Sequence, residues 1–164
     1  MNRKKLRALV AALLVAGAAH AEGVREARPN IVEIELFGRG LLYSVAFERY
    51  FNQYVGAGVG VGAVPCFDKD LCTGTGFVLP VFVSVNPLGD EHSLYLSGGA
   101  TLAISSDFTH PIAMLALGYQ LQLRGGFVLR PIVQLLVSRV QATSASPSSF
   151  ILIPWGGLTI GYSF

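Results

Sequence analysis

The sequence predicts an all-β fold, an eight-stranded antiparallel up-and-down barrel that crosses a membrane. Three observations predict it. The chain is strongly apolar, with a mean hydropathy of +0.53 and only 13% charged residues. Nineteen glycines keep interrupting its apolar segments, which disfavours helix, and after the first 21 residues no apolar run is long enough for a membrane helix. Eight stretches alternate with period two, each bounded by turn residues. Lipid admits only helices and closed barrels, because every backbone polar group must find a partner within the protein.

The first residues place the chain outside the cytoplasm. "MNRKKLRALVAALLVAGAAHA" has a basic start (Arg3, Lys4, Lys5, Arg7), an apolar run from Ala8 to about Ala19, and the small-residue end Ala19-His20-Ala21. This pattern predicts a signal peptide over 1–21, cleaved after Ala21, then a short segment 22–29 and a barrel over 30–164. Its apolar run is too short for a retained anchor. Removing four of the twelve basic residues leaves eight against ten acidic ones, a mature net charge of about −2. That balance gives no electrostatic footing for nucleic acid.

The strands follow in order. "NIVEIELFG" (30–38) sets Val32, Ile34 and Leu36 against Glu33 and Glu35, and "LLYSVAFERYF" (41–51) sets Leu41, Tyr43, Val45 and Phe47 against Ser44, Ala46 and Glu48. "YVGAGVGVGAV" (54–64) alternates valine with glycine, and "GFVLPVFVSVN" (76–86) carries Phe77, Leu79, Val81, Val83 and Val85 on one side. "LYLSGGATLA" (94–103) opposes Leu94, Leu96 and Leu102 to Tyr95, Ser97 and Thr101, while "IAMLALGYQLQL" (112–123) opposes Leu115, Leu117, Tyr119 and Leu121 to Gly118, Gln120 and Gln122. "FVLRPIVQLLV" (127–137) opposes Phe127, Leu129, Val133 and Leu135 to Arg130 and Gln134, and the eighth strand runs from about Ile151 to Phe164.

The second face of these strands is mostly Gly, Ser, Thr and Ala, too poor in charge to meet water. It suits the narrow interior of an eight-stranded barrel, and the Leu, Val, Phe and Tyr face suits lipid. With both termini periplasmic, the outer loops are 39–40, 65–75, 104–111 and 138–150, and the periplasmic turns are 52–53, 87–93 and 124–126. Three of the outer loops exceed every turn, as such barrels prefer. Pro80, Pro131 and Pro154 fall inside strands, where each removes a ladder donor, and are expected to mark bulges or late strand starts.

Glu33, Glu35, Glu48, Gln120, Arg130 and Gln134 share inward parity. Isolated charges in a narrow lumen are costly unless paired, so Arg130 is expected to meet at least one carboxylate across it. Such a network either plugs the lumen or gates a pore, and eight strands favour the plug. Cys66 and Cys72, in "CFDKDLC", are expected to form a disulfide in an oxidising compartment; a cation site with Asp68 and Asp70 matches no established spacing. "SSDFTHP" holds Ser105, Ser106, Asp107 and His110, the residue types of a hydrolase, but loops ordinarily carry them. Glycines at period two in the third strand are not a dinucleotide fingerprint. No cofactor or metal is expected.

The chain ends "GGLTIGYSF", with Leu158, Ile160, Tyr162 and Phe164 at alternate positions. In this ending, and in the strand pattern over 30–164, it resembles the small outer-membrane barrels of Gram-negative bacteria, the OmpA-transmembrane-domain and OmpX-like group. The resemblance implies that those four residues form the signal read by the barrel-assembly machinery. It brings no catalytic residue: the His-x-Ser pattern of the lipid A deacylase is absent late in this chain.

The expectation is a non-catalytic, monomeric, integral outer-membrane barrel amid outer-membrane lipids and lipopolysaccharide. Its role would be structural, surface-interacting or a minor permeability. The alternatives are an outer-leaflet lipid-modifying enzyme and a soluble lipocalin-like carrier of small lipophiles.

Overall fold

A computed structural model describes residues 23–65, 75–88, 91–104, 109–140 and 149–164. A short helix, α1 (Val24–Ala27), leads into eight strands: β1 (Asn30–Leu36), β2 (Tyr43–Tyr50), β3 (Val55–Pro65), β4 (Thr75–Val85), β5 (His92–Ile104), β6 (Thr109–Gln122), β7 (Phe127–Val140) and β8 (Ser149–Ser163). Each strand pairs antiparallel with the next, and β8 returns to β1 to close the barrel. The leader 1–21, Cys66 with Cys72, and residues 105–108 lie outside the described residues.

Several strand ends differ from the sequence reading: Leu41, expected on the outward face of the second strand, precedes β2 and packs inward, and Ser138 to Val140, expected in a loop, extend β7. His92 and Ser93, expected in a turn, open β5, and Thr109 to Pro111, expected in a loop, open β6. In both places a partner strand is there to extend the ladder, His92 facing Leu121 and Ala103 facing His110.

The period-two pattern decides which side chains enter the barrel. Val32, Ile34, Tyr43, Val45, Leu115 and Val133 are exposed on the outside, while Glu33, Glu35, Glu48 and Arg130 are buried inside. A soluble protein would reverse this. The interior is also less uniformly small than expected, since Phe82, Tyr95, Met114, Ile132 and Leu136 are buried there. The glycines of β3 make room for them: a Cβ on Gly58 would collide with the ring of Phe82.

The strands are staggered. One row of inward parity runs Ile31, Glu48, Gly58, Phe82, Gly99, Met114, Leu136 and Ile153, each paired with the next, Ile153 being exposed where β8 outruns β1. Ile153 lies five residues before Leu158, the partner of Leu36, so the row would meet the chain again at position 41, ten residues above Ile31. Closure therefore shears the sheet, as barrels require. It also leaves β8 above Leu158 with β7 as its recorded partner but not β1.

The prolines are accommodated without the expected bulges. Around Pro80 the β3–β4 ladder passes from Val59↔Val81 to Gly62↔Val78 in constant register, so two pairs are skipped and no residue is inserted. Around Pro131 the β6–β7 ladder likewise passes from Gly118↔Ile132 to Leu121↔Leu129. Pro154 sits in the part of β8 beyond the end of β1, where one side has no ladder to interrupt.

Candidate functional site

Two arginines organise the inside of the barrel. Arg130, on β7, gives its three nitrogens to three strands: Nη1 donates to Glu33 Oε2 at 2.9 Å, Nη2 to Glu48 Oε2 at 2.7 Å and Nε to Gln120 Oε1 at 3.0 Å. Its guanidinium lies 4.0 Å from the centre of the Tyr95 ring. Glu48 also accepts from Ser84, and Gln120 Nε2 donates to Gln122 at 3.0 Å. Tyr50, whose hydroxyl reaches Asn86 at 2.8 Å and Gln120 at 3.1 Å, continues the network towards the termini.

The second arginine comes from a turn. Between β1 and β2, residues 37–42 fold into the mouth so that Arg39 points down the lumen and is fully buried. It donates to Glu33 and Glu35, and its Nη1 donates to the Tyr95 hydroxyl at 3.0 Å. The guanidinium packs 3.5 Å from the centre of the Phe82 ring. Glu33 is thus shared by both arginines, while Glu35 belongs to Arg39 and accepts from Ser44 at 2.7 Å.

Two hydrogen bonds tie the turn's backbone to other walls. Thr101 on β5 donates to Arg39 O at 2.8 Å, and Gln134 on β7 donates to Gly38 O at 2.8 Å. Gln134, grouped by parity with the charged residues, therefore holds the turn and is not a partner of the carboxylates. Phe37 and Leu41 adopt positive φ, +54° and +67°, a conformation that costs a non-glycine residue about 1 kcal/mol or more. Packing holds them there: Phe37 lies on Trp155, and Leu41 packs against the cluster of Ala46, Phe82, Met114 and Leu136.

The other end is covered by α1. Arg25 is fully buried and reaches the carbonyls of two turns, Leu88 at 3.1 Å and Gln53 at 3.5 Å. Burial draws its guanidinium below the ordinary arginine pKa, with Tyr50 opposing that shift. Arg28 O accepts from Gln122 at 3.3 Å, and Pro29 O accepts from the Tyr50 amide at 2.8 Å.

Three of these residues carry weight that sequence reasoning missed. Arg39 falls in a short turn, yet it stands four residues from Glu35, close enough to fold back on it. Tyr95 and Ser84 share the inward parity of Glu48, and that parity was the available signal.

Inside the barrel Ser44 and Ser84 donate to Glu35 and Glu48, carboxylates that are already paired with Arg39 and Arg130. At the far rim His110 Nε2 and Ser138 Oγ are 2.8 Å apart, across β6 and β7. Of the hydrolase-like cluster only His110 is among the described residues, and its hydrogen-bond partner is Ser138 on β7.

A closed ring of eight antiparallel strands with charges inside and an apolar outside decides the architecture. The chain has the fold of the small outer-membrane barrels. Its structure is similar to the N-terminal β-barrel domain of OprF from Pseudomonas aeruginosa, with a TM-score of 0.60 and 14% identity over 84% of this chain and 98% of that one. The outer membrane protein Ail of Yersinia pestis also aligns, with a TM-score of 0.48 and 15% identity over 84% and 99% of the two chains. No family model and no curated protein matches the sequence.

Proposed function

We propose that this chain is an integral outer-membrane barrel whose interior is bolted shut and whose role is structural or surface-interacting, without catalysis. The observation that carries the reading is the inversion of the two faces. Apolar side chains cover the outside of every strand, whereas three carboxylates and two guanidiniums are buried against one another within. Water would reject the first arrangement and lipid stabilises it. The end holding the termini and the three short turns is periplasmic in this reading, and the terminal Leu158, Ile160, Tyr162 and Phe164 serve the assembly machinery.

Extraction tests it. The mature protein should stay in the membrane pellet through carbonate and high salt, and should migrate faster on gels before boiling than after. Release by carbonate would favour the lipocalin-like carrier.

The rim pair of His110 and Ser138 favours one second reading, hydrolysis of a lipid ester. A fluorophosphonate probe should leave Ser138 unlabelled; labelling that His110→Ala abolishes would establish the enzyme instead.

A further inference from the structure

Arg39 sits in the lumen as a ligand sits in a site. Its nitrogens reach three different acceptors: Nε donates to Glu35, Nη2 to Glu33, and Nη1 to the Tyr95 hydroxyl at 3.0 Å. One face of the guanidinium lies 3.5 Å from the centre of the Phe82 ring. A planar, delocalised cation serves such a fork of acceptors and a ring at once, whereas an ammonium is a strongly hydrated point charge. Without Arg39, the buried carboxylates Glu33, Glu35 and Glu48 would face Arg130 alone, so the empty seat demands a cation.

The occupant fits its seat incompletely. Beside the turn, Gln134 Oε1, Trp155 Nε1 and Thr159 Oγ1 are buried without a partner. Gln134 holds Gly38, Trp155 packs on Phe37, and Thr159 stands between Glu35 and Arg130 in the ladders. The turn is also free to leave as a unit. Its tip closes on itself, Phe37 N donating to Leu42 O at 2.7 Å and Leu41 N to Gly38 O at 3.0 Å. Rotation about Leu36 and Tyr43 keeps both bonds and every β1–β2 pair, and gives up the Arg39 contacts and the bonds from Thr101 and Gln134. A second position is open to it. Among the described residues, β8 above Leu158 has no strand partner on the β1 side. The register that sets Leu36 against Leu158 would bring Phe37 to Gly157 and Gly38 to Gly156, where neither glycine of β8 obstructs pairing.

We propose that the outer mouth is a guanidinium-binding site which Arg39 occupies as a tethered ligand, and that a peptide's arginine side chain arriving from outside takes the seat as the turn swings up against β8. The amides flanking such an arginine offer the unpartnered Gln134, Trp155 and Thr159 a donor and acceptors that the turn does not supply. A tethered occupant competes at an effective concentration in the millimolar range. Free ligand therefore meets a weak site in the wild type and a stronger one when Arg39 is gone. This inference rests on the membrane reading, which makes the β1–β2 end the outer one, and adds a ligand class to the surface-interacting role.

The test uses the full mature protein in lipid vesicles, with N-acetylarginine amide as the probe and N-acetyllysine amide as its control. Trp155, the single tryptophan of the chain, lies against Phe37 and reports the turn through its emission. In Arg39→Ala the arginine probe should raise the urea midpoint saturably, with half-saturation about fivefold or more below that of the lysine probe. In the wild type it should change Trp155 emission saturably, at about tenfold or more the concentration that half-saturates Arg39→Ala. Should Arg39→Ala not insert, Gly157→Val empties the same seat by displacing the turn, and its midpoint should respond in the same way. Equal responses to the two probes, no response in the emptied variants, or a wild-type emission that never changes would each overturn the proposal. Carbonate resistance is read separately, so a barrel that inserts but ignores the probe overturns the site and leaves the membrane reading standing.

Discussion

Arg130 concentrates three ionic or polar contacts and one ring contact on a single side chain buried among four strands. Removing one partner from such a cluster costs more than the cluster contributes, because charges stay buried without compensation. Arg130→Met should therefore lower stability by about 3–5 kcal/mol, read as urea unfolding in lipid vesicles through the shift in gel mobility. Adding Glu33→Gln and Glu48→Gln removes the stranded carboxylates. The triple variant should recover about 1 kcal/mol or more of the loss, since residues in one network are not additive. Full additivity would mean that these groups do not sense one another.

At the scale of elements, the turn between β1 and β2 is the part most dependent on its surroundings. It has two residues at positive φ, and it stays in the mouth through Arg39, Thr101 and Gln134. It also needs the bare backbone of β8. A Cβ on Gly157 would stand 2.5 Å from Phe37 O and 2.9 Å from Gly38 Cα. Gly157→Val should expel the turn while the ladders persist. The measurement is trypsin cleavage after Arg39, absent in the wild type, where the side chain is buried, and rapid in the variant. A Gly157→Val protein that keeps its folded gel mobility and still resists trypsin would show that the turn does not depend on this contact.

For the whole molecule, the two arginines and α1 fill the barrel from end to end. Wild-type protein in planar bilayers should give no conductance steps above lipid alone. Arg25→Ala, Arg39→Ala and Arg130→Ala together should produce them, because the triple variant unties α1 from the turns it covers and clears the centre and the outer mouth. Steps of equal size in both proteins would mean that water already passes between these side chains, and the sealed reading would fall.

Much of this was legible in the chain. Period two is a local property of a strand, so the eight strands, their facing and the inward parity of Glu33, Glu35, Glu48 and Arg130 follow from neighbours one or two residues apart. Partnership is not local. Arg130 meets Glu33 and Glu48 across 97 and 82 residues of chain, and only the stagger of the closed sheet sets which carboxylate lies at which height. The same stagger leaves β8 standing above the end of β1, and it made Pro154 tolerable where the sequence suggested a bulge. The role of Arg39 is not legible in the chain because a turn's direction depends on what it packs against, here Trp155 and the wall of β8. The sequence by itself determined that the chain forms a barrel with charge inside and apolar residues outside, because alternation is written residue by residue. Which charges bolt it, and that a turn and a helix close its ends, was decided by the tertiary structure, because closure alone brings distant strands to one height.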